Sequence, residues 1–322
     1  MSNRRAIFDS YLIADYSGAR SVREQRKHLV VATAWPNHSI ALQHLTREGL
    51  FQAVTEALMA AEQHGQRLML GFDFSFSFPF GFFEAAFGSD CTDWGKSIGA
   101  LYAALGASDV SDPRRWAAAC NTRLAERFDL ACGPFWGAGF APQPHKPAFP
   151  FAKAGFAERR WVERQPSMHT SKSIFQLGGI GAVGLQSLYG ISFLARLRGW
   201  ALQANIPLFF WPQDGPYPPK EGPLCVEAYP RLYNHGIKSD ESDAWACLSW
   251  TKSEDEVGAL AEWLYFDKKV WQAWGMAREG WVLGVSPKLL EKTPSAGSEY
   301  KPALSEQKKT EEAVIDEAGE SW

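Results

Sequence analysis

The chain has 322 residues but no Cys-x-x-Cys pair, and its five cysteines (Cys91, Cys120, Cys132, Cys225, Cys247) are an odd number. That excludes a zinc ribbon and argues against a disulfide framework, leaving free thiols in a reducing compartment. The seven histidines lack metal-ligand spacing, and no His/Asp pair is placed to activate Ser17 or Ser75, which speaks against zinc and serine-hydrolase chemistry. The longest uncharged stretch, 173–195, is broken by Gln176, Gln186, Tyr189, serines and glycines, so it reads as a Gly-rich turn and a buried helix, not a membrane span. No apolar signal core follows Met1, and a cytoplasmic protein is expected. A formal charge of −3 gives no global attraction to nucleic acid or anionic membrane, so a polyanion site must be local.

What the chain does have is apolar mass. At 46% hydrophobic and 14% aromatic residues it can fill a core. Residues 10–14 form an apolar strand that delivers Asp15, followed by a charged turn over 20–27 and two more strands over 28–35 and 39–46. Apolar spacing predicts a helix over 47–64 with Gly65 as its stop, then a buried strand over 67–72 that delivers Asp73. Three strands, a helix and a fourth strand ending in an acid form the opening half of a ribonuclease H-like fold. Helices are expected over 94–105, 114–128 and 182–205, and strands over 207–211 and 224–230, the latter carrying Glu227. A helix opens at Ser239-Asp240, and another is expected over 253–266. The expected class is α/β: a ribonuclease H-like mixed sheet flanked by helices over 8–290, with a large helical and irregular insertion at about 75–172. A disordered acidic tail is expected over 291–322, where eight acids stand against four lysines.

The acids at strand ends and helix starts carry the chemistry. Asp15, Asp73 and Glu227 each follow an apolar strand, where an ionised carboxylate is costly without a compensating cation or donor. Asp240 and Asp243 share one face of a helix start, where two carboxylates about 4 Å apart repel by roughly 4 kcal/mol at an effective dielectric near 20. Simple helix capping would also account for that pair. Oxygen ligands without nearby His or Cys select Mg2+ or Mn2+, and two such ions could cleave a phosphodiester.

The motifs Ile13-Ala14-Asp15-Tyr16-Ser17-Gly18-Ala19, Gly71-Phe72-Asp73 with Pro79-Phe80-Gly81, Val226-Glu227-Ala228-Tyr229-Pro230, Ser239-Asp240-Glu241-Ser242-Asp243-Ala244 and Glu279-Gly280-Trp281 together resemble the domain-of-unknown-function 429 family, whose members are predicted ribonuclease H-like nucleases. The closing Asp-x-x-Asp-Ala is also similar to the Holliday-junction resolvase branch of that superfamily. The resemblance implies that Asp15, Asp73, Glu227 and Asp243 are catalytic metal ligands, with Asp240 a fifth carboxylate. One departure is the spacing after the second acid: family members place Pro two residues on, whereas here Phe74-Ser-Phe-Ser-Phe separates Asp73 from Pro79.

Between Pro113 and Ser173 ten Lys/Arg stand against four acids, interleaved with Trp116, Phe135, Trp136, Phe149, Phe151 and Trp161. Such a surface suits a nucleic-acid substrate, with Lys172, Arg159 and Arg160 as candidate contacts; solvated arginines and core aromatics are the other reading. Gly179-Ile-Gly-Ala-Val-Gly184 lacks the acid a dinucleotide site needs some 20 residues on, and is better read as a tight start to the next helix, whose N–H groups could hold a phosphate near Lys172. The expected function is a two-metal nuclease. The alternatives are an actin- or sugar-kinase-like phosphotransferase or ATPase, and a non-catalytic nucleic-acid-binding protein.

Overall fold

The computed structural model describes residues 6–106, 112–236 and 238–292. Strand β1 (Ser10–Asp15) is buried along its whole length and forms the middle of the sheet. Its side chains alternate between faces, so Leu12 and Ala14 pack into one core while Tyr11 and Ile13 pack into the other. Helix α1 (Val22–His28) leads to β2 (Val30–Ala34), antiparallel to β1, and then to β3 (Ala41–His44), an exposed antiparallel edge. Helix α2 (Arg47–Gln63), capped by Thr46, carries the chain back to β4 (Leu68–Phe72), parallel to β1.

The charged turn expected over 20–27 is α1 instead. Ser21 accepts the Glu24 N–H, and Gln25 is buried, its side chain accepting the Arg47 N–H at 3.0 Å. A capping serine and one buried polar contact outweigh the lack of apolar residues.

The inserted segment contributes α3 (Phe82–Phe87), α4 (Trp94–Gly106) and α5 (Pro113–Phe128), then a small parallel pair, β5 (Trp136–Gly137) and β6 (Gln176–Gly178). Helix α6 (Gly184–Gln203) packs on α4 and α5. Strands β7 (Phe209–Trp211) and β8 (Leu224–Glu227) complete a six-stranded mixed sheet of order β3-β2-β1-β4-β8-β7. The four strands from β1 to β7 in that order run parallel.

Helix α7 (Asp240–Glu256) lies against β1 and β2 and runs through the start of the separate helix expected over 253–266; only the short α8 (Leu260–Trp263) follows. Asp255, near the end of α7, is fully buried and accepts the N–H groups of Ile7 and Phe8, both at 2.9 Å, and the Tyr11 hydroxyl at 2.6 Å. Ending the helix before Asp255 would orphan those donors. Short helices α9 (Lys268–Ala273) and α10 (Met276–Glu279) precede Val282, which bridges to Glu227.

Trp116, Phe135 and Phe149 are buried in the core on the α6 side of the sheet, so these aromatics are packing and not a platform for bases. All five cysteines are free thiols. Among the described residues no helix is long and apolar enough to cross a membrane. Apart from its first two residues, the tail expected from 291 lies outside the described residues.

Candidate active site

Parallel pairing places three acids at neighbouring strand ends. Asp15 closes β1; Asp73 follows β4, its N–H bonded to the Ala14 carbonyl at 3.0 Å; Glu227 closes β8 opposite Phe72. Asp15 is buried, and its carboxyl lies beside that of Asp73. Burial first, and then the neighbouring acids Asp73, Asp240 and Asp243, hold the Asp15 carboxyl well above the usual carboxylate range. Asp73 is pushed up to about 7, chiefly by burial, against the hydrogen bonds from Asp15 and Gln186. Two carboxyls side by side inside a protein resist ionising together without a cation, which is why both are raised.

Two further carboxylates approach from the first turn of α7. Burial raises Asp243 above its ordinary range, while the amide of Asn234 donates to its Oδ1 at 2.6 Å. Asp240 Oδ2 lies 2.8 Å from Nδ1 of His28, and His44 pairs similarly with Glu241 at 3.1 Å. The α7 N-cap is Ser239, in a reciprocal capping box with Ser242, so Asp240 and Asp243 are free of the capping duty that would have explained them. Gln186, in the first turn of α6, donates to the Asp73 carbonyl. Its backbone nitrogen is so close to the β1 loop that a Cβ on Gly18 would come within 2.8 Å of it.

Glu227, expected as a metal ligand, is paired with an arginine. Its Oε1 accepts Arg160 at 2.5 Å, and its Oε2 accepts Arg160 at 2.8 Å and the Phe76 N–H at 2.9 Å. Arg160 in turn bonds Glu163 at 2.8 Å and the Glu279 carbonyl at 3.1 Å. At 1% exposed, Arg160 is not available to a substrate as expected. Glu279, pushed up to about 7 by burial, accepts the N–H groups of Phe80 and Trp161, both at 2.7 Å. These two glutamates therefore clasp both ends of the inserted segment. Arg159 spends one nitrogen on Ser171, bonding its carbonyl and its hydroxyl at 3.0 Å each. Lys172 is exposed and lines a small cavity with Asp73, Gln186 and Tyr229.

Among the described residues, no three His, Cys, Asp or Glu side chains stand close enough to hold one metal ion together. The carboxyl pair is nevertheless an all-oxygen donor set that burial makes costly to ionise alone, which is the chemistry that favours Mg2+ or Mn2+ over zinc. No family model, curated protein or solved structure matches the chain.

The sequence reading missed Gln186, Asn234 and His28. Gln186 counted only as an interruption of an apolar run, though its place just after the Gly179–Gly184 turn marks a helix start. Nothing local marked Asn234 or His28, since each is defined by a partner distant in sequence or across a turn.

Proposed function

We propose that this chain is a metal-dependent nuclease of ribonuclease H-like fold, akin to the domain-of-unknown-function 429 proteins its motifs resemble. The antiparallel β1–β3 unit, followed by a helix and parallel strands that end in acids, supports the fold reading. The observation that carries the function is the meeting of Asp15 and Asp73 at the ends of the parallel strands β1 and β4, where the Asp73 N–H bonds the Ala14 carbonyl at 3.0 Å, with Asp240 and Asp243 nearby.

In this reading Asp15 and Asp73 would supply two oxygens for a Mg2+ or Mn2+ ion, water and substrate oxygens would fill its other positions, and Asp240 and Asp243 would add negative charge nearby without joining that set. Glu227 is left out, because Arg160 already neutralises it, and the number of ions falls from the two expected to one. A bound divalent ion supplies Lewis-acid stabilisation of a phosphoryl oxygen and lowers the pKa of a bound water. The protein's own groups fix the geometry. Gln186 holds the backbone at Asp73, Asn234 aims Asp243, and His28 steadies Asp240. Lys172, exposed beside Asp73, is positioned to meet a phosphate of a nucleic-acid strand.

The test is cleavage of a mixed DNA and RNA panel with Mn2+ by the full chain and by Asp15→Asn. Cleavage by the native chain and a loss of about a thousandfold or more in the variant is expected, as for removal of a group essential to the chemistry. Undiminished cleavage by Asp15→Asn would assign the activity elsewhere and overturn the reading.

A further inference from the structure

A cleft of about 690 Å3 opens on the α1 side of the acid centre, within the size range of ligand sites. Its walls include Ala19, Arg20, Glu24, His28 and Arg114. His28 joins the two regions, since the ring that lines the cleft also touches Asp240.

The charges in this cleft are unevenly matched. Arg20 and Arg114 share one carboxylate, Asp112, at the long distances of 3.5 and 3.9 Å. Nε of Arg114 is buried and has no hydrogen-bond partner among the described residues. Glu24, the acid in the walls, is 3.5 Å from His28. Arg47 stands behind the loop, donates to the carbonyls of Ser17 and Ala19 at 3.1 and 2.6 Å, and stacks on Tyr189, so it fixes the loop that carries Arg20. Two arginines that line one open space and share a single carboxylate at long range suit a phosphate, which a planar fork binds bidentately.

We propose that this cleft seats a phosphodiester of the substrate strand next to the scissile one, so that the strand leaves the acid centre across His28 and is gripped by Arg20 and Arg114. The proposal rests on the nuclease reading above and adds a direction for the strand and a minimum substrate length of one nucleotide beyond the cut on that side.

The experiment uses the full chain carrying Asp15→Asn, which leaves the strand intact, and a fluorescein-labelled single-stranded oligonucleotide followed by anisotropy over a salt series. Adding Arg20→Ala is expected to weaken binding by about five- to tenfold and to lower the magnitude of the log–log salt slope by about 1, while Lys252→Ala, near the far end of α7, changes neither. Arg20 is 59% exposed at its side chain, so its removal leaves folding intact. Arg114→Lys keeps the charge but loses the fork, and is expected to weaken binding as well. Unchanged affinity and slope in Arg20→Ala overturn the cleft even if the native chain cuts nucleic acid. Arg20-dependent binding in a chain that never cuts would sink the nuclease reading and leave the cleft as a phosphate site. Absence of any binding overturns the proposal.

Discussion

Arg160 and Glu227 form a two-pronged ion pair inside the protein, at 2.5 and 2.8 Å, that ties the inserted segment to the end of β8. Arg160 thus neutralises a carboxylate that the motif pattern alone assigns to a metal ion.

Removing Arg160 leaves Glu227 and Glu163 as buried carboxylates without their cation. Arg160→Ala is expected to cost about 3–5 kcal/mol, the usual penalty for breaking a buried pair from one side. Urea unfolding at neutral pH measures it, and a loss below about 1 kcal/mol would show that the pair does not anchor the insertion. Glu227→Gln, by contrast, should leave Mn2+ affinity, read by calorimetry, within about twofold.

Stability should depend on pH with a definite sign. Asp73 and Glu279 are both pushed up to about 7 in the folded protein, from ordinary values near 4, and Asp15 is raised as well. The folded chain thus holds protons that the unfolded chain has released. Its stability is greatest below about pH 4 as far as these groups are concerned, and falls as pH rises through 7. Asp73→Asn should flatten the slope between pH 5 and 8 by up to one proton, about 1.4 kcal/mol per pH unit. Unfolding free energies measured in EDTA across that range give the answer; an equal slope in the variant would mean that Asp73 ionises freely.

Gly18→Ala should disturb the seat of α6 against the β1 loop. The new methyl would meet the Gln186 nitrogen at 2.8 Å, and backbone on both sides leaves little room to yield. A loss of about 1–3 kcal/mol in thermal or urea unfolding is expected, typical of overpacking. Wild-type stability in this variant would place the loop and helix farther apart.

Asp255→Ala removes the acceptor shared by Ile7, Phe8 and Tyr11. With the Ile7 and Phe8 N–H groups orphaned and the Tyr11 hydroxyl left with only the Phe8 carbonyl at 3.3 Å, a loss of about 2–4 kcal/mol is expected. Hydrogen exchange should show the amides of Ile7 and Phe8 losing protection first. Retained protection there would mean that other contacts hold the segment.

Much of the fold was legible because it is written locally. The apolar alternation of β1, the helical spacing of α2 and the Gly/Pro breaks around β4 and β8 each depend on neighbours a few residues away. The α1 helix was not legible, because its stability comes from Ser21 and from Gln25 reaching Arg47 across the structure. The α7 boundary was missed for the same kind of reason: Asp255 reads as a polar residue near a helix end, and only its meeting with Ile7, Phe8 and Tyr11 shows that it is buried.

The candidate site divides along the same line. The sequence by itself determined that Asp15, Asp73 and Glu227 sit at the ends of apolar strands and that Asp240 and Asp243 open a helix, because hydrophobic period and capping preference act over one or two turns. Which acids lie side by side and which is neutralised was decided only by tertiary structure. Asp15 and Asp73 meet because β1 and β4 pair in parallel, while Glu227 is matched to an arginine 67 positions away. Electrostatic energy depends on distance through space and on burial, and neither is a property of the order of residues along the chain.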